Sequence, residues 1–592
     1  MASILPFEAR GPLAAIARRY AWSVPLVAVL GFASSALEGV GIGLLIPLLT
    51  TLLSAGSGTG VGFALIDRWT SGYDPGTRLA LIASAIFVLI LLKNVVYAVS
   101  QTFVAWIDGR ASHDIRCALA RQLLWVGYPF HLAQEPARLV NIVATEAWRA
   151  SEAIRALFSM VAGTASITIF AVLLLLVSWP LTLAVVAGTL LIRLGHARLI
   201  GRLGQMSVDL SEANRKLADR MLMSVLAMRL IRVFGQERRE QDLFAEASET
   251  MRRAMFTIER ASAQVSPTQE VLQTALFIAI LVGGTLSSAG VAIPVLVTFL
   301  VLLQRVQPHL RAFEAGRVAL ASARGPVREV EWLLNPADKP ASPTGSRPCE
   351  GLKQAISFHQ VEFHYATRPG AGAALETVSF DLRAGRSTAL IGPSGSGKST
   401  IVNLICRLLE PTSGAISVDG VNLAEIDPAA WRSRISLAGQ DIELIDGTIA
   451  ENIAYGAPNL PRAEIEAAAR AGDADAFISA LPGGYDSEVG SRGLNLSGGQ
   501  RQRIGLARAI ARQPDLLILD EATNAVDGLS EAAIMRLLRE GRGNMTMVVI
   551  SHRASTLACC DDGVVIAEGR IAESGPLSGL AAYRSMMLAS AG

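Results

Sequence analysis

Charge is what this chain has little of. Only 18% of its 592 residues are Asp, Glu, Lys or Arg, while 51% are apolar; a soluble enzyme usually carries about 25% charged residues. With a mean hydropathy of +0.40, that shortage argues against a wholly water-soluble protein and makes a membrane protein the first expectation. Net charge is scarce as well, at +2. Nothing global therefore argues for a nucleic acid partner, and the basic residues have to be judged by position. Cysteine is sparse: Cys117, Cys349, Cys406, Cys559 and Cys560 show no C-x-x-C spacing. That speaks against a metal or redox motif and leaves free thiols as the expectation. The length exceeds what one core organises and suggests roughly two to four domains.

What is present in quantity is long apolar runs, nearly all in the first half. A helix needs about 20 mostly apolar residues to cross a bilayer. Six such spans are read near Trp22–Leu53, Leu79–Trp106, Leu157–Val177, Leu181–Leu194, Thr268–Ser288 and Val291–Val306. Basic residues collect on alternate connections. Arg10, Arg18 and Arg19 precede the first span, Arg110 to Arg155 fill the connection after the second, and Arg198 to Arg260 the connection after the fourth. The intervening "SWP" and "SAGVA" carry no charge. Because Lys and Arg are retained on the cytoplasmic side, both termini are expected there. The small residues "ASSA" at 33–36 resemble a leader-cleavage region, but the apolar run continues through "VGIGLLIPLLTTLL", which a cleaved leader would not need.

Between the spans, the two large basic connections repeat apolar residues at helical intervals, so the helices are expected to extend well beyond the membrane. Their tips fall near residues 127–136 and 231–240, where short helices would be presented to whatever lies below. Residues 9–20 mix apolar and basic positions and read as an amphipathic helix on the inner surface. Ionisable or amide groups inside spans are costly and therefore functional suspects: Glu38 in the first, Lys93 and Asn94 in the second, Gln269, Glu270 and Gln273 in the fifth. A Glu38–Lys93 pair, a cavity lined by Gln and Glu, or plain helix packing would each satisfy them.

Near residue 335 the composition turns to "NPADKPASPTGSRPCEG", a linker pattern. A soluble domain follows. Its "GPSGSGKS" fits G-x-x-x-x-G-K-[ST], after the strand pattern "STALI" and before the helix pattern "STIVNLICRLL". Glycines there let backbone N–H groups converge on phosphate, a helix N-terminus adds positive potential, Lys398 neutralises the terminal phosphates and Ser399 ligates Mg2+. "LLILDE" at 516–521 reads as a buried strand ending in two carboxylates, Asp520 for the metal and Glu521 for the attacking water.

Between these elements stands "LSGGQ" at 496–500, and with it the sequence resembles ATP-binding-cassette proteins, with the cassette motifs in the expected order. Tyr365 matches the aromatic residue that stacks on adenine, Gln440 the glutamine joining the metal and water site to the membrane domain, Asp527 the aspartate of the segment after the glutamate, and His552 the histidine at the γ-phosphate. The resemblance implies ATP contacts from Tyr365, Gly392, Ser394, Gly395, Gly397, Lys398, Ser399 and Thr400, and from Ser497, Gly498, Gly499, Gln500 and Asp527. It also implies Mg2+ held by Ser399, Gln440 and Asp520, and catalysis by Glu521, His552 and Gln440. Departures are Ser491 where glutamate is usual, Ile445 where an aromatic residue is common, and "NAVD" for Ser-Ala-Leu-Asp.

In this family the "LSGGQ" of one cassette covers the nucleotide on the phosphate loop of another. A chain with one cassette and six spans therefore looks like a half-transporter, and intact motifs favour a homodimer. The fold expected is a multidomain membrane protein: an all-α six-helix transmembrane domain over 1–334, a linker over 335–350 and an α/β P-loop NTPase domain over 351–592. The function expected is ATP-driven export or flipping of an amphipathic substrate (lipid, lipid-linked glycan, peptide or drug) across the lipid bilayer of a cell membrane, the inner one if bacterial. An ATP-gated regulator or channel on the same frame, or an importer, are the alternatives.

Overall fold

Helices make up the first half of the chain. The computed structural model describes residues 11–44, 48, 73–286, 293–365, 372–439, 442–521, 535–536, 539 and 545–591. The chain divides into two units, Met1–Val126 with Gln134–Lys339 and Gly127–Ala133 with Pro340–Gly592.

In the first unit the described helices are α1 (Pro12–Arg19), α2 (Ser23–Gly43) and α3 (Pro75–Trp125); α4 (Tyr128–Ala133) groups with the second unit. After it come α5 (Pro136–Asn141), a π-helical turn at Ile142–Glu146, and α6 (Ala147–Val177). The remainder are α7 (Trp179–Leu226), α8 (Met228–Val233), α9 (Glu237–Leu286), α10 (Ile293–Ser322) and α11 (Arg324–Leu334). Local chemistry sets several ends. Asp74 caps α3 by accepting from the N–H groups of Gly76 and Thr77, each at 3.1 Å, with Pro75 in the first turn. Extended Ser178, followed by a helix start containing Pro180, separates α6 from α7. At 51, 48 and 50 residues, α3, α7 and α9 are each more than twice what a bilayer requires, as the periodic basic connections predict.

By length and composition Ser23–Gly43, Gly76–Trp125 and Pro136–Val177 are able to cross a membrane, and Trp179–Ile192 is a shorter apolar stretch. The expected fifth and sixth spans fall on α9 and α10, each containing one proline, Pro267 and Pro308. Parts of the first, fifth and sixth expected spans lie outside the described residues. Glycine permits close approach where α2 crosses α6: a Cβ on Gly31 would sit 2.9 Å from the Ala162 carbonyl oxygen. Phe170 and Leu174 of α6 join Phe299, Leu302, Leu303 and Val306 of α10 in the helical core.

The helix near the N-terminus differs from its expected setting. Its apolar residues Leu13, Ala14 and Ile16 are buried, against α3 and α11, so protein rather than lipid covers that face. Among the suspects inside spans, Glu38 and Lys93 do pair, at 3.3 Å. Asn94 donates to Ile90 O of its own helix at 2.9 Å. Gln269 and Gln273 are buried while Glu270 is exposed and 3.8 Å from Arg311, so these three residues do not share one face.

The second unit holds two sheets. Strands β1 (Ala355–Phe363), β2 (Leu375–Arg383), β4 (Ser413–Val418) and β5 (Val421–Asn422) form an antiparallel sheet in the order β2-β1-β4-β5. The larger sheet runs β10-β9-β3-β8-β7-β6, from β3 (Ser387–Ile391), β6 (Ile435–Ala438), β7 (Leu516–Asp520), β8 (Thr546–Ile550), β9 (Asp562–Ala567) and β10 (Arg570–Pro576). It is parallel apart from the edge strand β10. Every residue of β3 and β8 is buried, which is why these strands read as unbroken apolar runs. Part of the Pro- and Ser-rich segment is bonded to this unit: Arg407, almost fully buried, donates to the carbonyls of Thr344, Ala424 and Ile426.

Candidate functional site

Strand order brings the sequence-predicted chemistry together. The loop after β3, the carboxylates ending β7 and the histidine after β8 all follow the C-terminal ends of three strands adjacent in the order β3-β8-β7, the edge at which open α/β sheets bind ligands.

The glycine-rich loop runs from Gly392 to the start of α12 (Lys398–Ile405). Its glycines are there for sterics. Gly397 has φ +110°, and a Cβ on it would meet Ala374 O at 2.9 Å; a Cβ on Gly392 would stand 2.3 Å from Ile566 O. Lys398 folds back over the loop and donates to Gly392 O at 2.9 Å and Pro393 O at 2.8 Å. Burial pulls its ammonium below the usual lysine range, with Glu521 and Asp520 pulling the other way. Ser394, Gly395 and Ser399 are exposed along the same loop and first helical turn, and Thr400 is buried. The Tyr365 hydroxyl lies 3.1 Å from Thr400 Oγ1, and its ring meets Phe363 edge-on at 4.8 Å, so the predicted adenine-stacking residue stands beside the phosphate loop.

Opposite, β7 ends at Asp520, whose carboxyl is held above the usual aspartate range chiefly by burial and then by Glu521, against the pull of Lys398. Glu521 turns the chain into the left-handed region, φ +51°, a strained conformation for a non-glycine residue that concentrates at functional positions. Its N–H donates to Ile550 O at 2.9 Å, and its Oε1 is 3.1 Å from His552 Nε2. Glu521, predicted for the attacking water, and His552, predicted at the γ-phosphate, are therefore in contact.

The "LSGGQ" segment opens α14 (Gly498–Ala511), which follows α13 (Ile449–Ile453) in the elements that matter here. Ser497 caps it in a reciprocal box: its Oγ accepts from Gln500 N at 3.2 Å while Gln500 Oε1 accepts from Ser497 N at 2.8 Å. Around Gly498 and Gly499 a Cβ would meet nothing within 4 Å, so this helix N-terminus is open to an anion. Gln440 and Asp527 lie outside the described residues.

Two residues not singled out by sequence reasoning tie this helix to the segment downstream of Gln440. Asn452, fully buried, accepts from Ile445 N at 3.0 Å and donates to Ile445 O at 2.9 Å. Arg508 of α14 donates to Asn452 Oδ1, Asn452 O and Glu443 O, each at 2.8 Å. The available signal was the capping box Thr448–Glu451 that starts α13, which marks the helix but not the arginine that reaches it.

Comparison with known proteins agrees with this geometry. Residues 26–307 match the family model described as ABC transporter transmembrane region, and residues 375–524 match that described as ABC transporter. Over 93% of this chain and 90% of its own length, the heterocyst differentiation ATP-binding protein HepA of Nostoc sp. is 30% identical. The chain belongs to the ABC transporter family. An ATP-dependent lipid A-core flippase of Haemophilus influenzae is 31% identical over 90% of the transporter and 91% of the flippase. The solved structure of a bacterial Atm1-family ABC exporter with ATP bound superposes at a TM-score of 0.81 and 25% identity, covering 98% of this chain and 99% of that one. The transporter thus has the exporter arrangement, with a helical membrane region N-terminal to an α/β cassette in one chain.

Proposed function

We propose that this ABC exporter is one half of a homodimer that hydrolyses ATP at two shared sites and moves an amphipathic, lipid-like molecule out of the cytoplasmic leaflet. The observation that carries the reading is the Glu521–His552 contact at 3.1 Å, at the end of the strand next but one to the phosphate-loop strand. The loop N–H groups and the N-terminus of α12 bind the triphosphate, Lys398 exchanges its two loop carbonyls for terminal phosphate oxygens, and Tyr365 stacks on the base. Glu521 orients the attacking water and His552 holds Glu521 and the γ-phosphate in line. Ser399 and Asp520 are hard oxygen donors at the loop, suited to Mg2+, and Gln440 would complete the set. That ion would neutralise charge developing on the phosphates.

Dimerisation is favoured by the open N-terminus of α14, a second anion site of the kind that in this family covers the nucleotide on another cassette's phosphate loop. It is favoured also by the exposed apolar residues Leu230, Val233 and Phe234 at the tip formed by α8, which suit a surface on a second copy. A lipid-like substrate is supported by the named activity of the flippase relatives, and both termini are assigned to the cytoplasm by the arginine-rich connections.

Glu521→Gln tests the reading. ATP binding persists, while steady-state hydrolysis in proteoliposomes falls by about a hundredfold or more, the scale of losing a positioned base. Hydrolysis at the wild-type rate would refute the assignment.

A further inference from the structure

Exposed side chains on membrane-crossing helices reveal what they face, and two helices of the first unit disagree. On α3 the exposed residues include Phe87, Val88, Ile90, Leu91, Leu92 and Val95, as hydrocarbon demands. On α10, Phe299, Leu302, Leu303 and Val306 are buried in the core, whereas Gln304, Arg305 and Pro308 are exposed. A guanidinium within a span is tolerated against protein or a water-filled cavity, not against lipid tails. The outward side of α10 around Arg305 therefore meets water or protein and not lipid tails.

Arg305 is one of three charges joined across three helices. Its Nη1 donates to Glu38 Oε1 at 3.2 Å, and Glu38 Oε2 is 3.3 Å from Lys93 Nζ. The Glu38 side chain is 12% exposed and that of Arg305 is 55% exposed. Two cations share one carboxylate, which leaves one formal positive charge uncompensated. Further along α10, Arg311 lies 3.8 Å from Glu270, and one turn on from Glu270 the buried Gln273 keeps its Oε1 without a hydrogen-bond partner.

We infer that Arg305 and Lys93, with Glu38 as their resident counter-ion, receive the anionic group, phosphate or carboxylate, of the transported amphiphile; this rests on the export reading. An arriving oxyanion takes paired N–H groups from Arg305 and displaces Glu38 from it. One added negative charge brings the cluster to neutrality, whereas a headgroup without net charge leaves the imbalance in place.

The test is equilibrium binding to the full-length transporter in phosphatidylcholine nanodiscs. The probes, compared at about pH 5 where a phosphate monoester carries close to one negative charge, are dodecyl phosphate, dodecylphosphocholine with the same tail and no net charge, and inorganic phosphate as competitor. Wild type is expected to bind dodecyl phosphate about tenfold more tightly than dodecylphosphocholine, the scale of one charge-assisted contact. Arg305→Gln removes that preference, Arg305→Lys keeps most of it, and Glu38→Gln enlarges it by freeing both cations. Arg252→Gln, on an exposed part of α9 and bonded to Glu249, leaves it unchanged. Competition by inorganic phosphate would assign recognition to the anion alone; a preference that survives without competition would assign it to headgroup and tail together. Equal wild-type affinity for the two amphiphiles, or a preference unchanged in Arg305→Gln, overturns the inference. Should Glu38→Gln fail to fold, the contrast between Arg305→Gln and Arg305→Lys decides. Wild type that hydrolyses ATP yet shows no preference sinks the anion site and spares the export reading; wild type without ATP turnover sinks the export reading as well.

Discussion

Glu521 and Asp520 are neighbours with opposed duties, and their electrostatics give a pH signature. The Glu521 carboxylate is one of the two causes that hold Asp520 above the usual aspartate range, about 3.9. A raised folded value means that the folded chain holds this proton more tightly than the unfolded one. Its contribution to stability is therefore present at low pH and lost as pH rises through the folded value. In the role proposed for Asp520, Mg2+ binding runs the other way, because it needs the deprotonated carboxylate. Mg2+-dependent ATP binding should accordingly fail on the acid side above the ordinary aspartate range. In Glu521→Gln, calorimetric titration across pH should find that acid limit moved to lower pH. A limit that stays put would mean that Glu521 is not what raises Asp520.

The thiols make a second prediction at this scale. Cys117 is exposed, whereas Cys406, Cys559 and Cys560 are buried, and burial pushes the Cys406 thiol up to about 12. Alkylation of the native transporter near pH 8 should label Cys117 within minutes and leave those three unmodified until it is denatured, as intact-mass measurement would show. The phosphate-loop, strand-end and helix-start residues of the candidate site were legible in the sequence because their spacing is dictated by one rigid loop or one strand end. The left-handed backbone at Glu521 was not, since nothing in "LLILDE" distinguishes a strained residue from the end of an ordinary strand.

Among the elements, α2 and α6 depend on Gly31. A leucine there would drive its Cβ into the Ala162 carbonyl, which backbone cannot cede cheaply, so Gly31→Leu should cost about 1–3 kcal/mol and lower the thermal midpoint in detergent. Asn452→Ala would strip Ile445 N and Arg508 of their buried partner, at a cost of about 1–3 kcal/mol. If the midpoint of that variant is unchanged, water has replaced the amide. Periodicity foretold the long helices, because regular spacing is a property of each segment alone. It did not foretell that Arg305 bonds Glu38, 267 residues away in sequence, because hydropathy counts a charge within a span without saying which other span it meets. The same limit explains α1: its amphipathic pattern was evident, but whether lipid or protein covers the apolar side is decided by α3 and α11.

For the whole molecule, the proposed sharing of nucleotide sites between two copies predicts that one defective chain impairs its partner. Mixing Glu521→Gln with wild type before reconstitution should lower ATP turnover below the proportion of wild-type chains present. Turnover that tracks that proportion would mean chains working singly. The two-part organisation was legible from composition, an apolar half and a motif-bearing half. The grouping of Gly127–Ala133 with the second unit falls on the tip near residues 127–136 that the helical periodicity of the basic connection had marked.

The 51 residues of α3 form a rod of about 76 Å at 1.5 Å per residue, and about 30 Å of it suffices for the hydrocarbon layer. Some 46 Å then stands clear of the bilayer. An inclination of only about 10° at the lipid boundary sweeps its far end by roughly 8 Å. A slight rearrangement among buried helices is thus geared up into a stroke larger than an atomic contact, and the gearing works equally in reverse.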